Sequence, residues 1–166
     1  MFHYKTINFI SSKLKKNKKM ITDPRLKIYV DRLFKEWSSY GKIIIGVDFD
    51  STTSPYHTLD NQDDIDRTIK LLRECKLTGC FIVIHTACRE DRYDDIKNYF
   101  KSINLEIDTI NQTPIDLPYG KTGSKPYANH FLDDRSALPT SLDILEQVLY
   151  MVRGEQNKKL SIDGVA

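Results

Sequence analysis

The chain has 166 residues and a mass of 19.3 kDa, the size of one domain with room for a buried core. Hydrophobic residues make up 40% and charged residues 29%. That excludes a disordered chain, and no apolar run approaches the roughly 18 residues of a membrane span. The net charge of +2 is unevenly placed. Residues 1–22 carry Lys5, Lys13, Lys15, Lys16, Lys18 and Lys19 with no acid, and taking those six from the total leaves the remainder at −4.

The basic leader, 1–22, lacks the long apolar core of a secretory signal, and its lysines follow its apolar residues. It is expected to be a solvated, partly disordered extension. Contact with nucleic acid or another polyanion through residues 5–19 is the functional alternative. The domain proper is expected over 23–153. It opens on a helix over 24–39, with Asp23 as N-cap, Pro24 at the first helical position and Gly41 as the stop. Leu26, Tyr29, Val30, Leu33, Phe34 and Trp37 make one apolar face, to be covered by a sheet or by a partner subunit in a homo-oligomer.

Lys42–Asp48 is a short continuous apolar run, the pattern of a strand buried on both faces. A polar loop follows over Ser51–Asp60, then a helix over Asn61–Lys76 with Ile65, Ile69 and Leu72 inward, stopped by Gly79. Cys80–His85 predicts a second buried strand and Asp91–Ile103 a helix with Ile96, Phe100 and Ile103 on one side. Leu105–Ile110 predicts a weaker strand, Asn111–Ser124 a turn-rich loop, and Ala128–Leu132 a fourth strand. Leu142, Leu145, Leu149 and Val152 mark a last helix closed by Gly154, and 154–166 is expected to be a polar, frayed tail. Apolar strands alternating with helices predict an α/β fold, a Rossmann-like three-layer sandwich around a parallel sheet of about four to five strands. Cys75, Cys80 and Cys88 form no CxxC pair, which suits a reducing, cytoplasmic setting.

In parallel sheets of this kind ligands bind beyond the carboxyl ends of the strands. Asp48, Asp50 and Thr52 follow the first strand, Thr86 and Arg89 the second, and Asp133, Asp134 and Arg135 the fourth, with Lys125 just ahead of it. Four carboxylates on one rim repel one another and call for a compensating charge. A hard dication with oxygen ligands, Mg²⁺, suits that set, and Mg²⁺ in turn suits phosphate substrates. Each feature alone has an ordinary reading. An Asp often closes a strand or caps a helix, a Thr caps a turn, and Arg89 and Arg135 can pair with a nearby Asp. The conjunction and its order carry the weight.

That order resembles the haloacid dehalogenase-like (HAD) phosphatase superfamily. The matching stretches are IIIGVDFDST (Ile43–Thr52), FIVIHT (Phe81–Thr86), Lys125 and FLDD (Phe131–Asp134), within residues 42–153. Lys125–Pro139 is similar to small HAD-like hydrolases common in bacteriophages and also found in bacteria, which would put the protein in a host cytoplasm. Ser51 departs from the Gly usual at its position, and Lys121 competes with Lys125 for the phosphate-binding role. The resemblance implies Asp48 as nucleophile forming an aspartyl-phosphate, and Asp50 as general acid and base. It implies Thr86 and Lys125 on the phosphoryl oxygens, and Mg²⁺ held by Asp48, Asp50 (through its carbonyl), Asp133 and Asp134. Thr52 and Arg89 are further candidates for binding substrate.

A phosphorelay receiver uses similar residues in a different order, and Cys88 abuts Arg89 too closely for a cysteine-phosphatase loop. The non-enzyme alternative is a HAD-like scaffold or polyanion-binding module acting through the leader. Only the eight residues Thr53–Asp60 precede the second helix, so no cap domain is expected. An open crevice of that kind would suit a nucleotide, a nucleic-acid end or another phosphorylated partner. No membrane contact is expected.

Overall fold

The computed structural model describes residues 20–113 and 126–163. The leader up to Lys19, and Lys121 and Lys125 with most of their loop, lie outside the described residues.

Helix α1, Pro24–Tyr40, starts where the Asp23 carboxylate accepts the Arg25 N–H at 2.9 Å. It ends at Gly41, whose φ of 72° only glycine adopts without strain. Val30, Leu33 and Trp37 are fully buried, so the apolar face is covered within the chain, largely by the last helix. Strand β1, Ile44–Asp48, is followed by α2, Gln62–Leu77. Asn61 caps α2 by accepting the Asp63 N–H. Strand β2 is Phe81–His85. A 3₁₀ turn over Glu90–Arg92 leads into α3, Tyr93–Ser102. Strands β3, Thr109–Ile110, and β4, His130–Leu132, complete the sheet, and α4, Leu138–Asp163, closes the described chain.

The sheet is parallel with the order β3-β2-β1-β4. It is flanked by helices in a Rossmann-like α/β arrangement. Successive side chains of a strand face opposite sides, yet Ile44, Ile45 and Val47 of β1 and Ile82, Val83 and Ile84 of β2 are all fully buried. Both faces of the central pair are therefore covered, which is why these strands read as unbroken apolar runs. Each such side chain contributes about 1.5–3 kcal/mol. Gly46 is the exception in the run, and space explains it. A Cβ there would lie 2.8 Å from the Phe131 ring and 3.0 Å from the Ala128 Cβ.

Two strands are shorter than expected, for the same reason. Pairing in β3 is confined to two residues because the Asp108 carboxylate takes the Ile82 N–H at 2.7 Å, ahead of any backbone carbonyl. Lys76 neutralises that carboxylate at 2.6 Å. At the start of β4 the Asn129 amide oxygen takes the Ile44 N–H at 2.8 Å. The last helix is longer than expected. Gly154 does not close it, and the polar tail expected from 154 is helical to Asp163. A helical Gly costs only about 1 kcal/mol. Ion pairing of Arg153 with Glu74 at 2.9 Å and the Ser38 hydroxyl's bond to Glu155 at 2.9 Å hold the helix down on either side of it. Among the described residues no helix is long and apolar enough to cross a membrane.

Candidate active site

The register aligns the strand ends. Asp48 is level with His85, and Val47 with Leu132, so the next residue of each outer pair, Asp48 and Asp133, stand side by side. Two adjacent parallel strands thus deliver two carboxylates to one point of the rim. Asp48 is half-buried and pushed up to about 6, first by loss of solvent and then by repulsion from Asp133. Asp134 and Asp50 repel it more weakly, and the Phe49 backbone N–H partly offsets them. The other three carboxylates picked from the sequence therefore all act on Asp48.

The loop after β1 turns sharply. Ser51 has φ 62°, in the left-handed region where glycine is the easiest residue. The strain is held by the bond from the Ser51 N–H to the Ser54 carbonyl at 2.8 Å and by the parallel bridge between Asp50 and Ser54. Farther along, Asp60 accepts the N–H groups of Tyr56 and His57 at 2.6 and 2.7 Å, which folds residues 53–60 into a compact flap. These bonds hold the Asp60 carboxyl below the usual range.

Thr52 takes a different place from the one expected. It is fully buried rather than open to a substrate. Its hydroxyl accepts the Asp134 N–H at 3.0 Å and lies 3.5 Å from the Asp48 carboxylate. It ties two acidic loops together. Asp133 keeps one oxygen on the Arg135 N–H at 2.8 Å, the turn-closing role open to any Asp in this position, and has the other free of that bond. Arg89 is 88% exposed and pairs with Asp91 at 3.7 Å, the ordinary role of a surface arginine next to an Asp. Lys125 lies outside the described residues.

Thr86 is half-buried one residue beyond β2. Its hydroxyl oxygen accepts the Cys88 N–H at 3.1 Å, which leaves the hydroxyl hydrogen to donate elsewhere. Its backbone is held by Asn111, a residue not singled out from the sequence. The cue was a lone Asn directly after a short apolar strand, where Asn tolerates the left-handed conformation. Asn111 does adopt it, with φ 52°.

The donor set is hard and anionic, and its mutual repulsion is what an oxygen-seeking dication would relieve. Among the described residues no three His, Cys, Asp or Glu side chains are grouped closely enough to hold a metal alone. The set fits an ion that takes two carboxylates and a backbone carbonyl and completes its shell with water, as Mg²⁺ does. A groove of about 460 Å³ runs along the sheet edge between α3 and β3 over Phe100 and Leu105, and none of the four rim carboxylates lines it.

No protein-family model and no curated protein matches the chain. Among solved structures, a conserved protein of Bacteroides thetaiotaomicron is similar at 19% identity and a TM-score of 0.47, over 58% of this chain and 78% of that one.

Proposed function

We propose that the protein is an Mg²⁺-dependent phosphatase of the HAD-like type, which hydrolyses a phosphate monoester through an aspartyl-phosphate on Asp48. The observation that supports this most is the half-buried Asp48 carboxylate, pushed up to about 6 and opposed by Asp133, Asp134 and Asp50 at one strand-end rim. A half-buried carboxylate opposed by three others costs stability, which a merely structural rim has no reason to bear.

In this reading Asp48 attacks phosphorus and the ester oxygen leaves with a proton from Asp50. Asp50 then takes a proton from the water that hydrolyses the acyl phosphate, which restores both carboxyl groups. Thr86 donates its free hydroxyl hydrogen to a phosphoryl oxygen. Lys125 belongs to the same role through the resemblance. A bound Mg²⁺, held by Asp48, Asp133 and the Asp50 carbonyl with Asp134 in support through water, would supply positive charge that keeps Asp48 ionised and screens its approach to a phosphate dianion. Thr52 and the Ser51 turn keep the two acidic loops in place without touching substrate.

The loop over 53–60 is too small to enclose a substrate, which favours a nucleotide or the phosphorylated end of a nucleic acid over a small buried ester. Arg89, in an exposed pair with Asp91, would have to exchange that partner to meet a second anionic group. The test is phosphate release with Mg²⁺ from p-nitrophenyl phosphate, mononucleotides, 3′-phosphorylated oligonucleotides and sugar phosphates. Asp48→Asn is expected to lower release about a thousandfold or more. Release that persists in Asp48→Asn would remove Asp48 as nucleophile. No release from any ester by the native protein would leave the binding module standing instead.

A further inference from the structure

The Asn111 side chain meets the Thr86 backbone on both of its polar sides. Thr86 N–H donates to the Asn111 amide oxygen at 2.9 Å, and the amide nitrogen donates to the Thr86 carbonyl at 2.7 Å. The same nitrogen donates to the Tyr93 hydroxyl at 2.8 Å. The Asn111 N–H itself donates to the Ile84 carbonyl at 2.8 Å. Only one orientation of the amide satisfies both the Thr86 N–H and the Thr86 carbonyl, so the assignment of oxygen and nitrogen is determined by the partners.

The position explains the arrangement. Asn111 and Thr86 each stand one residue beyond paired strands, β3 and β2. The last backbone bond of this ladder runs from the Asn111 N–H to the Ile84 carbonyl, and the primary amide carries the connection farther, onto the backbone of Thr86. A left-handed backbone at Asn111 is what turns its side chain back towards β2. Part-buried hydrogen bonds to the two peptide groups that flank the Thr86 Cα fix the backbone there, and so fix where the side chain leaves it. The Thr86 hydroxyl, already accepting from Cys88 N–H, then has its hydrogen left for a ligand.

We propose that Asn111 is the positioning residue for Thr86, with Tyr93 holding the amide from the far side, so that the Thr86 hydroxyl is pre-aimed at a phosphoryl oxygen. This rests on the phosphatase reading of the same site. Pre-aimed donors are worth most because no reorganisation is needed as charge develops. Asn111 touches no substrate and acts only through Thr86.

The test is a double-mutant cycle on the full chain with Mg²⁺ and p-nitrophenyl phosphate. Asn111→Gly removes the amide while easing the positive φ, and Thr86→Ala removes the hydroxyl. Asn111→Gly is expected to lower kcat/KM about 10- to 30-fold. In the Thr86→Ala background the same change is expected to cost less than about twofold, because there is no hydroxyl left to aim. Tyr93→Phe, which removes one oxygen, is expected to cost about two- to fivefold with Thr86 present and nothing without it. A purely structural role would lower activity by the same factor in both backgrounds, and that result overturns the proposal. So does an Asn111→Gly protein within twofold of the native one. If the native protein releases no phosphate, the phosphatase reading fails by itself. The positioning role is then read from calorimetric binding of inorganic phosphate with Mg²⁺. Equal, non-compounding weakening by Thr86→Ala and Asn111→Gly supports it. Compounding losses, or no phosphate binding by the native protein, overturn it.

Discussion

The hydroxyl of Thr52 accepts the backbone N–H of Asp134 at 3.0 Å, and so joins the loop after β1 to the loop after β4. Neither loop is part of the sheet at that point. The single bond sets the spacing of the acidic pair after β4 relative to Asp48, with which the same hydroxyl is 3.5 Å away.

Thr52→Val keeps the shape and removes the bond. The loss expected is about 0.5–1.5 kcal/mol in urea unfolding, the net worth of one hydrogen bond. Phosphate release is expected to fall further than that loss of stability explains, because the protein remains folded while Asp134 drifts. Native-like activity in a folded Thr52→Val protein would show that the spacing of the two loops does not matter.

Asp48 makes stability depend on pH in a particular sense. Its folded value, about 6, lies above the ordinary 3.8. The folded protein therefore binds a proton more readily than the unfolded chain between those values, and stability falls as pH rises from about 4 to about 6. Above pH 6 the cost of the ionised group is fully present. For a half-exposed carboxylate it amounts to about 1–2 kcal/mol once solvent screening is allowed for. Without added metal, Asp48→Asn should therefore gain on the native protein across that range and hold a constant advantage above about pH 7. Urea midpoints for both proteins at pH 4, 5, 6 and 7.5 in EDTA measure it. An advantage that does not change with pH would remove the repulsion at Asp48.

Gly46 is forced by the Phe131 ring. Gly46→Ala brings a methyl group 2.8 Å from that ring and is expected to cost about 1–3 kcal/mol through overpacking. Phe131 is 41% exposed, so its ring can be removed at modest cost. Gly46→Ala with Phe131→Ala should recover part of the loss relative to Gly46→Ala alone. Thermal unfolding of the three variants decides it, and a double variant no more stable than Gly46→Ala would place the clash elsewhere.

Gly154 stands inside α4 with nothing within 4 Å of where a Cβ would be. Gly154→Ala should stabilise the protein by about 0.5–1 kcal/mol and raise helicity slightly. If the helix stopped at Gly154 in a left-handed turn, the same substitution would destabilise. The sign of the shift in melting temperature separates the two.

What was legible in the sequence was whatever periodicity and strand-end position encode. The four strands, their parallel sense and the α1 boundaries at Asp23 and Gly41 follow from apolar runs and caps that act locally. So does the meeting of Asp48 with Asp133, because parallel strands of one sheet end at the same rim. What escaped were effects carried by single side chains across the sheet. Asp108 and Asn129 take the backbone N–H groups of Ile82 and Ile44, shortening β3 and β4. Asn111 does the converse work beyond β2. No pattern of hydrophobicity marks which polar side chain will stand in for a strand. Thr52 was placed at the substrate because of its motif position, and its burial could not be seen without the loop after β4. Gly154 misled because propensity at one exposed helix position is weaker than the ion pair and hydrogen bond on either side of it.

Helix α4 begins four residues after Asp134 and runs for 26 residues, about 39 Å at the helical rise. Strand β1, with five residues, is less than half as long. One end of the helix therefore starts at the acidic rim and the other finishes well beyond the opposite edge of the sheet. A tether at the far end of this helix is therefore about 39 Å along it from the acidic rim, and leaves the rim facing solution.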